Sequence, residues 1–542
     1  MTPGLAEFAA TEAAADTDVP AAVTASLERG FAVVPDRAAS RPAERLTWFD
    51  TFDWRLLAAG FVLVYVPGRR GSELRLTITK TAETIIQPVT GWGASRPHRA
   101  SDIPPGALAG RIAEVVEPRA LLPVVSVTQA TAVSRLLNSD DKTVARLVTD
   151  SFSFSGNGRC RFAVQPVRGY PGQARRATRL LSEAEGVAST ATTVLEDALA
   201  AEGRVPAGYS NKVNAPVTAD MPASQAVAVV LLHLLDAMEA NTDGVIRDID
   251  PEFLHDFRVA VRRTRAALKL FGEALPGDDA DVREAASEFK WLGDLTTPTR
   301  DLDVHLLDFD DMASGLRAGK PDDLEPFRDY LVAKRARECR ALARGLRSQR
   351  FTGLVADWRA TLAPVAAKRK RSRGTTIRSG EISAAALVAE RTRRAFAKVA
   401  KRGGAITPDS PHESLHDLRK RCKELRYALE FFAPLYDPGS YKTVLGDLKK
   451  LQDCLGDFQD NEVQIAEIRA LALELKDAPA VTLLAMGEIT AGLAVKQAKA
   501  RRNFEQRFSA FADTEGQRRM SELLRRSGNG NGSRMGNGNG AA

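Results

Sequence analysis

Residues 254–271 recur as residues 415–432 with a constant shift and no gap. In the first copy His255, Arg258, Arg262, Arg265 and Lys269 follow one another at steps of three and four residues. On a helix turning 100° per residue, all five side chains fall within an arc of about 80°. Phe257, Val261, Thr264, Leu268 and Phe271 fall on the other side, so one face packs and the other is cationic. The second copy repeats the cationic face with His416, Arg419, Lys423 and Arg426, and the apolar face with Leu418, Cys422, Leu425, Leu429 and Phe432. Glu430 stands where the first copy has Lys269. Asp250 and Pro251 read as the cap and first turn of one helix. Ser410 and Pro411 read as the start of the other, with Glu413 as capping-box partner. A repeat of this length outranks local signals, because each copy must bury its apolar face on neighbouring elements; two similar helical halves are expected.

From Ala223 to about residue 512 the apolar periodicity is helical almost throughout. Helices are expected over residues 223–240, 251–275, 280–292, 303–313, 326–348, 353–363, 383–401, 411–435, 441–460, 461–475 and 479–511. Residues 23–213 differ. Short alternating runs between turn signals predict strands at 31–34, 46–49, 61–66, 74–79, 132–136, 144–150 and 161–167, with helices at 53–59 and 182–201. The expected fold class is an α+β N-terminal domain followed by an all-α domain of two pseudo-symmetric helical bundles. The expected boundaries are a disordered leader at 1–22, the α+β domain at 23–213 and a Pro-rich linker at 214–222. The helical domain follows at 223–515, in halves 223–365 and 383–515 around a basic spacer at 366–382. A Gly/Asn-rich tail at 516–542 is expected to be disordered.

Net charge is +7, modest for 542 residues, so the clustering of charge matters more than its sum. None of the four cysteines, Cys160, Cys339, Cys422 and Cys454, forms a Cys-x-x-Cys pair; they read as reduced thiols. No apolar run reaches the length a bilayer needs, and Met1 to Asp18 carries no basic residue, unlike a signal peptide. A cytoplasmic protein without membrane partners is expected.

Trp48-Phe49-Asp50-Thr51-Phe52-Asp53-Trp54-Arg55-Leu56-Leu57-Ala58-Ala59-Gly60-Phe61, together with Val167-Arg168-Gly169-Tyr170 and Tyr209-Ser210-Asn211-Lys212, resembles phrases of the CYTH family, the triphosphate tunnel enzymes. That resemblance implies a β-barrel or tunnel over residues 23–213. The family's defining Glu-x-Glu-x-Lys strand is degenerate here: the matching segment reads Ser26-Leu27-Glu28-Arg29-Gly30-Phe31 and keeps only Glu28. A later strand, Arg159 to Gln165, carries no acid either, while Arg75 and Lys80 are candidates to face a tunnel. Metal-dependent triphosphate hydrolysis needs paired carboxylates around the cation, so a scaffold or weak anion binder is expected instead.

The two repeat copies, with Trp291-Leu292-Gly293 and Arg300-Asp301-Leu302-Asp303 after the first and Leu448 to Gly456 with Asp460 after the second, resemble the CHAD family, the conserved-histidine α-helical domains. The resemblance covers both halves in register. It implies two pseudo-symmetric bundles around a basic groove that binds inorganic polyphosphate, often following a CYTH domain.

The same cationic spacing occurs twice more, as Arg337, Arg340, Arg344 and Arg347 and as Arg391, Arg394, Lys398 and Lys401. One such row is usually a solvated face. Four rows would repel one another unless an anion lay between them, and guanidinium suits phosphate through its forked donors. With the residues of the repeat, these rows are the candidate polyphosphate-binding set. Asp301, Asp303, Asp460 and Glu462 are read as orienting arginines rather than holding a metal. His233 and His305 are read as structural, and His98 and His412 as exposed. No catalytic nucleophile, metal site or cofactor is expected. The alternatives are a triphosphatase in the N-terminal domain and a basic nucleic-acid binder. The second is disfavoured because no aromatic residues interleave the cationic rows as stacking platforms. Association with polyphosphate granules is the expected setting.

Overall fold

The computed structural model describes residues 7–10, 19–68, 71–154, 157–277, 279–367 and 382–528. It divides into two compact units, Met1–Ser210 and Asn211–Ala542. Most of the basic spacer, residues 368–381, and the tail from residue 529 lie outside the described residues.

The first unit is one antiparallel sheet with helices on it. Its elements are β1 (Glu7–Ala10), α1 (Val19–Glu28), β2 (Ala32–Pro35), β3 (Arg41–Asp50), α2 (Arg55–Ala58), β4 (Phe61–Val66), β5 (Ser72–Ile78) and β6 (Thr84–Val89), then α3 (Ala109–Val116), β7 (Leu122–Leu137), β8 (Thr143–Phe154), β9 (Asn157–Pro166), α4 (Pro171–Ser182), β10 (Val187–Ser189) and α5 (Val194–Ala201). The strand order is β10-β1-β9-β8-β7-β3-β4-β5-β6, with β2 also beside β7. Alternation along the strands supplies apolar side chains to both faces. On one face Val125, Val127, Phe152 and Phe154 pack with Leu195, Ala198 and Leu199 of α5. On the other, Leu136, Leu147, Phe162 and Val164 pack with Leu27 of α1 and with Ala177 and Leu181 of α4. A sheet-rich fold of this kind is compatible with the tunnel-enzyme resemblance.

Several expectations here need correction. Within the supposed leader, Glu7–Ala10 is a strand paired to both β9 and β10, and a helix starts at Val19. The strand is short and Ala-rich, so alternation had nothing to mark. Ser26–Phe31 is not a strand but the end of α1 and its turn, and Glu28 is exposed. The helix expected over 182–201 is broken into α4, β10 and α5, because Gly186 at φ 75° turns the chain. His98 is buried, not exposed, and stacks on Trp92 at 3.7 Å between ring centroids. The Asp-Thr-x-Asp phrase shapes a turn: the Asp50 carboxylate accepts from the backbone N–H groups of Thr51, Leu56 and Leu57 at 2.7–2.9 Å. Burial raises its pKa to about 6 despite those bonds. Arg75 is already paired with Glu73 at 2.7 Å.

The second unit is all helical: α6 (Ala223–Ile246), α7 (Pro251–Phe271), α8 (Asp279–Leu307), α9 (Phe309–Ser314), α10 (Glu325–Leu346), α11 (Gln349–Ala366), α12 (Ala384–Gly404), α13 (His412–Phe431), α14 (Pro438–Glu474), α15 (Ala480–Ala512) and α16 (Thr514–Gly528). Helix α6 is long and apolar enough to cross a membrane by length and composition, yet Leu231, Leu234, Leu235 and Met238 are buried within the bundle. The expected linker is part of this unit. Ala215 and Val217 are buried, and the backbone N–H groups of Ala223 and Ala384 bond to Ile382 and Met221, tying the segment to the start of α12.

Helices α8 and α14 each run unbroken where two shorter helices were expected. Pro298 removes the N–H that would bond Asp294 O, yet α8 continues through it; on the turn before, the Thr296 and Thr297 hydroxyls donate to Leu292 O and Gly293 O. Helix α14 holds no proline beyond its first turn, and Gly456, four residues before Asp460, is buried within the continuous helix. Residues 516–528, assigned above to a disordered tail, are helical, because Met520, Leu523 and Leu524 are buried.

Candidate functional site

Helix α7 starts as its sequence dictates: the Asp250 carboxylate accepts from Glu252 N and Phe253 N, with Pro251 in the first turn. Helix α13 starts at His412 with Pro411 as cap and no side-chain cap; Ser410 bonds Thr407 instead. Phe257, Val261, Thr264, Leu268 and Phe271 on α7 are buried, as are Leu418, Cys422, Leu425, Leu429 and Phe432 at the equivalent positions. That packing leaves the cationic rows facing away from each half's core.

The two copies meet each other. Arg263 pairs with Glu430 at 3.2 Å and Lys269 pairs with Glu424 at 2.5 Å. Glu424 and Glu430 are the repeat equivalents of Arg263 and Lys269, so the contacts are exchanged between the halves. Phe271 meets its own equivalent, Phe432, at 5.0 Å between ring centroids. Exchanged contacts, and a residue touching its own equivalent, are what a pseudo-twofold relation produces.

Arg262 and Lys423 are equivalent residues close enough to repel. Burial first, then Arg419 and Arg262, push the Lys423 ammonium down to about 8, against the pull of Asp460. Neither Arg262 nor Lys423 has a hydrogen bond or ion pair to any described residue. Their neighbours on the same rows are anchored. The Arg258 guanidinium donates to Thr296 Oγ1 and Thr297 Oγ1 at 2.9 Å and to Gly293 O at 3.3 Å. Arg419 donates to Asp460 at 2.9 Å, and Arg426 to Glu430 at 2.7 Å. Arg265 lies against Gly293, where an added Cβ would come within 3.1 Å of its guanidinium. His255 and His416 are half-buried at the helix starts. Burial first, then the Arg300 charge, hold His255 below the ordinary histidine value.

Arg300 did not stand out from the spacing. It belongs to a different helix, α8, and donates to Pro251 O at 3.5 Å while bearing on both His255 and Arg258. The phrase Arg300-Asp301-Leu302-Asp303 was its only sequence signal. Behind it sits a buried charge cluster: Arg335 on α10 bonds Asp303 at 2.5 Å and Asp248 at 2.7 and 2.8 Å. Asp303 and Asp460 thus orient arginines, and Glu462 pairs with His412 at 2.9 Å. His305 is buried and bonds Glu467 at 2.8 Å. Among the described residues no group of His, Cys, Asp and Glu side chains is placed to hold a metal ion.

The other two rows sit differently. Arg337, Arg340, Arg344 and Arg347 are all exposed, on the side of α10 opposite buried Leu331, Leu342 and Leu346. Arg337 bears on Glu474 there. On α12, Arg391 pairs with Glu273 just beyond the end of α7, and Arg394 pairs with Glu390 on its own helix. Lys398 and Lys401 are exposed. The structure therefore brings the α7 and α13 rows together, links the start of the α12 row to the end of α7, and leaves the α10 row on an outer face.

Residues 229–469 match the family model of the CHAD domain. Among solved structures, the crystal structure of the CHAD domain from the plant Ricinus communis aligns at 27% identity, covering 56% of this chain and 96% of that one, with a TM-score of 0.48. PptA from Streptomyces chartreusis aligns at 17% identity over 53% of this chain and 99% of that one, with a TM-score of 0.38. No curated protein sequence matches the chain.

Proposed function

Because residues 229–469 form a CHAD domain, a family associated with polyphosphate binding, we propose that this chain binds inorganic polyphosphate along the joined cationic rows of α7 and α13. One observation supports this above the rest: Arg262 and Lys423 bear on each other across the pseudo-twofold, neither is hydrogen-bonded to a carboxylate, and the pull of Asp460 does not offset the repulsion on Lys423. The exposed Arg262 and the half-buried Lys423 repel each other in the empty site, and a bound polyanion removes that repulsion while accepting hydrogen bonds from both. The flanking anchored arginines hold their guanidinium groups in place, which lowers the ordering cost of binding. The reading places the protein in the cytoplasm, at polyphosphate granules. Titrating the full chain with defined-length polyphosphate, in competition with duplex DNA at one salt concentration, tests it; equal displacement by DNA would favour a general polyanion binder.

Binding should weaken as pH rises through about 8, where Lys423 loses its proton. The sign follows because the charged ammonium is the form that holds phosphate, so affinity is highest below that pH. Lys423→Arg should remove the dependence, since guanidinium stays charged. A profile between roughly pH 7 and 9 that is the same for both proteins would contradict it. Burial and the Arg300 charge hold His255 below the ordinary histidine value, so any tightening it adds appears at more acidic pH than for an ordinary histidine.

We expect no Mg²⁺-dependent hydrolysis of tripolyphosphate by the N-terminal unit. Glu28 stands exposed at the end of α1 rather than on a sheet strand. Phosphate release that disappears on Glu28→Ala would overturn this.

A further inference from the structure

Helix α15 presents a face that no described residue covers. Its buried side, with Thr482, Ala485, Met486, Ile489 and Leu493, packs into the bundle. Its outward side carries Val481, Leu484, Glu488, Ala491, Val495 and Ala498, alternately three and four residues apart, the spacing of a helix–helix seam. Leu484 is 74% exposed, Val495 68% and Val481 51%. Glu488 falls on the same seam, but its carboxylate is turned aside to accept from the backbone N–H groups of Arg317, Ala318 and Gly319. Gly487 and Gly492 flank the seam, and a Cβ at either would meet nothing within 4 Å, so another backbone can approach closely. The fold does not demand an apolar face here. Helix α10 is the matching arm in the first half, and its outer side is the arginine row. An exposed apolar stripe of this length on a long surface helix marks an interaction surface.

We propose that this face of α15 pairs antiparallel with the same face of a second copy of the chain. The seam is self-complementary about a point between Ile489 and Thr490. A twofold there sets Leu484 of one copy against Val495 of the other, Val481 against Ala498, and Gly487 against Gly492. It also brings Asp477, at the turn before α15, to Arg502 near its far end. Both are exposed, and neither has an ion-pair partner among the described residues. Each of these contacts occurs twice across the axis, as an isologous interface requires. The seam is about 30 Å long. Two such faces bury on the order of 1,000 Å² in total, at the lower limit for a specific interface. The dimer should therefore form with rising concentration rather than be permanent.

Sedimentation of the full chain from low micromolar to a few hundred micromolar tests it. The wild-type mass should climb from 58.6 kDa toward twice that value. Leu484→Glu alone should raise the dissociation constant at least about tenfold, as loss of a central anchor does. Combined with Val495→Lys it should recover association, because opposite charges then face each other across the axis. Asp477→Arg should weaken pairing, and Asp477→Arg with Arg502→Asp should restore it. All these positions are exposed, so the fold is not at stake. A wild-type mass that stays at one chain throughout, single variants that associate like wild type, or double variants that fail to recover would each overturn the proposal.

Discussion

Replacing Arg262 and Lys423 together by alanine is expected to weaken polyphosphate binding by roughly 2–4 kcal/mol, at about 1–2 per lost charged hydrogen bond. The pair sits where the two halves meet, with Lys423 half-buried and Arg262 beside it, so a contact to phosphate from Lys423 is worth more than on an open surface. Arg340→Ala with Arg344→Ala removes the same formal charge from the exposed outer face of α10, and should cost less than about 1 kcal/mol. Both proteins should lose affinity steeply as salt rises, because a bound polyanion releases counterions, but the central variant should start from a weaker value. Calorimetric titrations of wild type and both double variants at several salt concentrations make the comparison. Equal losses from centre and outer face would mean that the helical unit attracts anions everywhere, and the site assignment would fail.

The second large effect concerns stability. Arg335→Leu should destabilise the helical unit by roughly 3–5 kcal/mol, the range for breaking a buried ion pair from one side. Asp303 is almost fully buried and bonded to Arg335, so removing the guanidinium leaves its carboxylate unanswered. Burial already holds the Asp303 pKa above its usual value. A carboxyl whose folded pKa exceeds its unfolded one gains stability as pH falls, so the variant should recover part of the loss in acid. Adding Asp303→Leu should recover more, since an apolar pair of similar size leaves no buried charge. Urea melts followed by helical ellipticity measure all three proteins. A double variant as unstable as Arg335→Leu alone would show that the cost comes from lost packing instead.

The helical half was largely legible from periodicity, because the apolar positions of α7 and α13 are the ones the structure buries. Helix lengths were less so. Stops were expected at residue 292 and at residue 460, yet α8 runs on through Pro298 and α14 runs on past Gly456 and Asp460. At the site, spacing could group residues on one helix but could not say which helices meet. It gave the row on α10 the same standing as the row on α13, although one faces outward and the other faces α7. Arg300 and Arg335 escaped notice for the same reason: each matters through a partner far away in sequence. In the N-terminal unit, β1 was missed because four residues rich in alanine carry no pattern, and their place is set by pairing with β9.

The salt bridges between α7 and α13 are charged unevenly. Both basic members, Arg263 and Lys269, belong to the first half, and both acidic members, Glu424 and Glu430, to the second. Two first halves brought together in the same way would set Arg263 against Lys269, and two second halves would set Glu424 against Glu430. Each homotypic arrangement meets like charges where the native one meets opposite charges. The halves can therefore tell each other from copies of themselves, even though their apolar faces are nearly interchangeable.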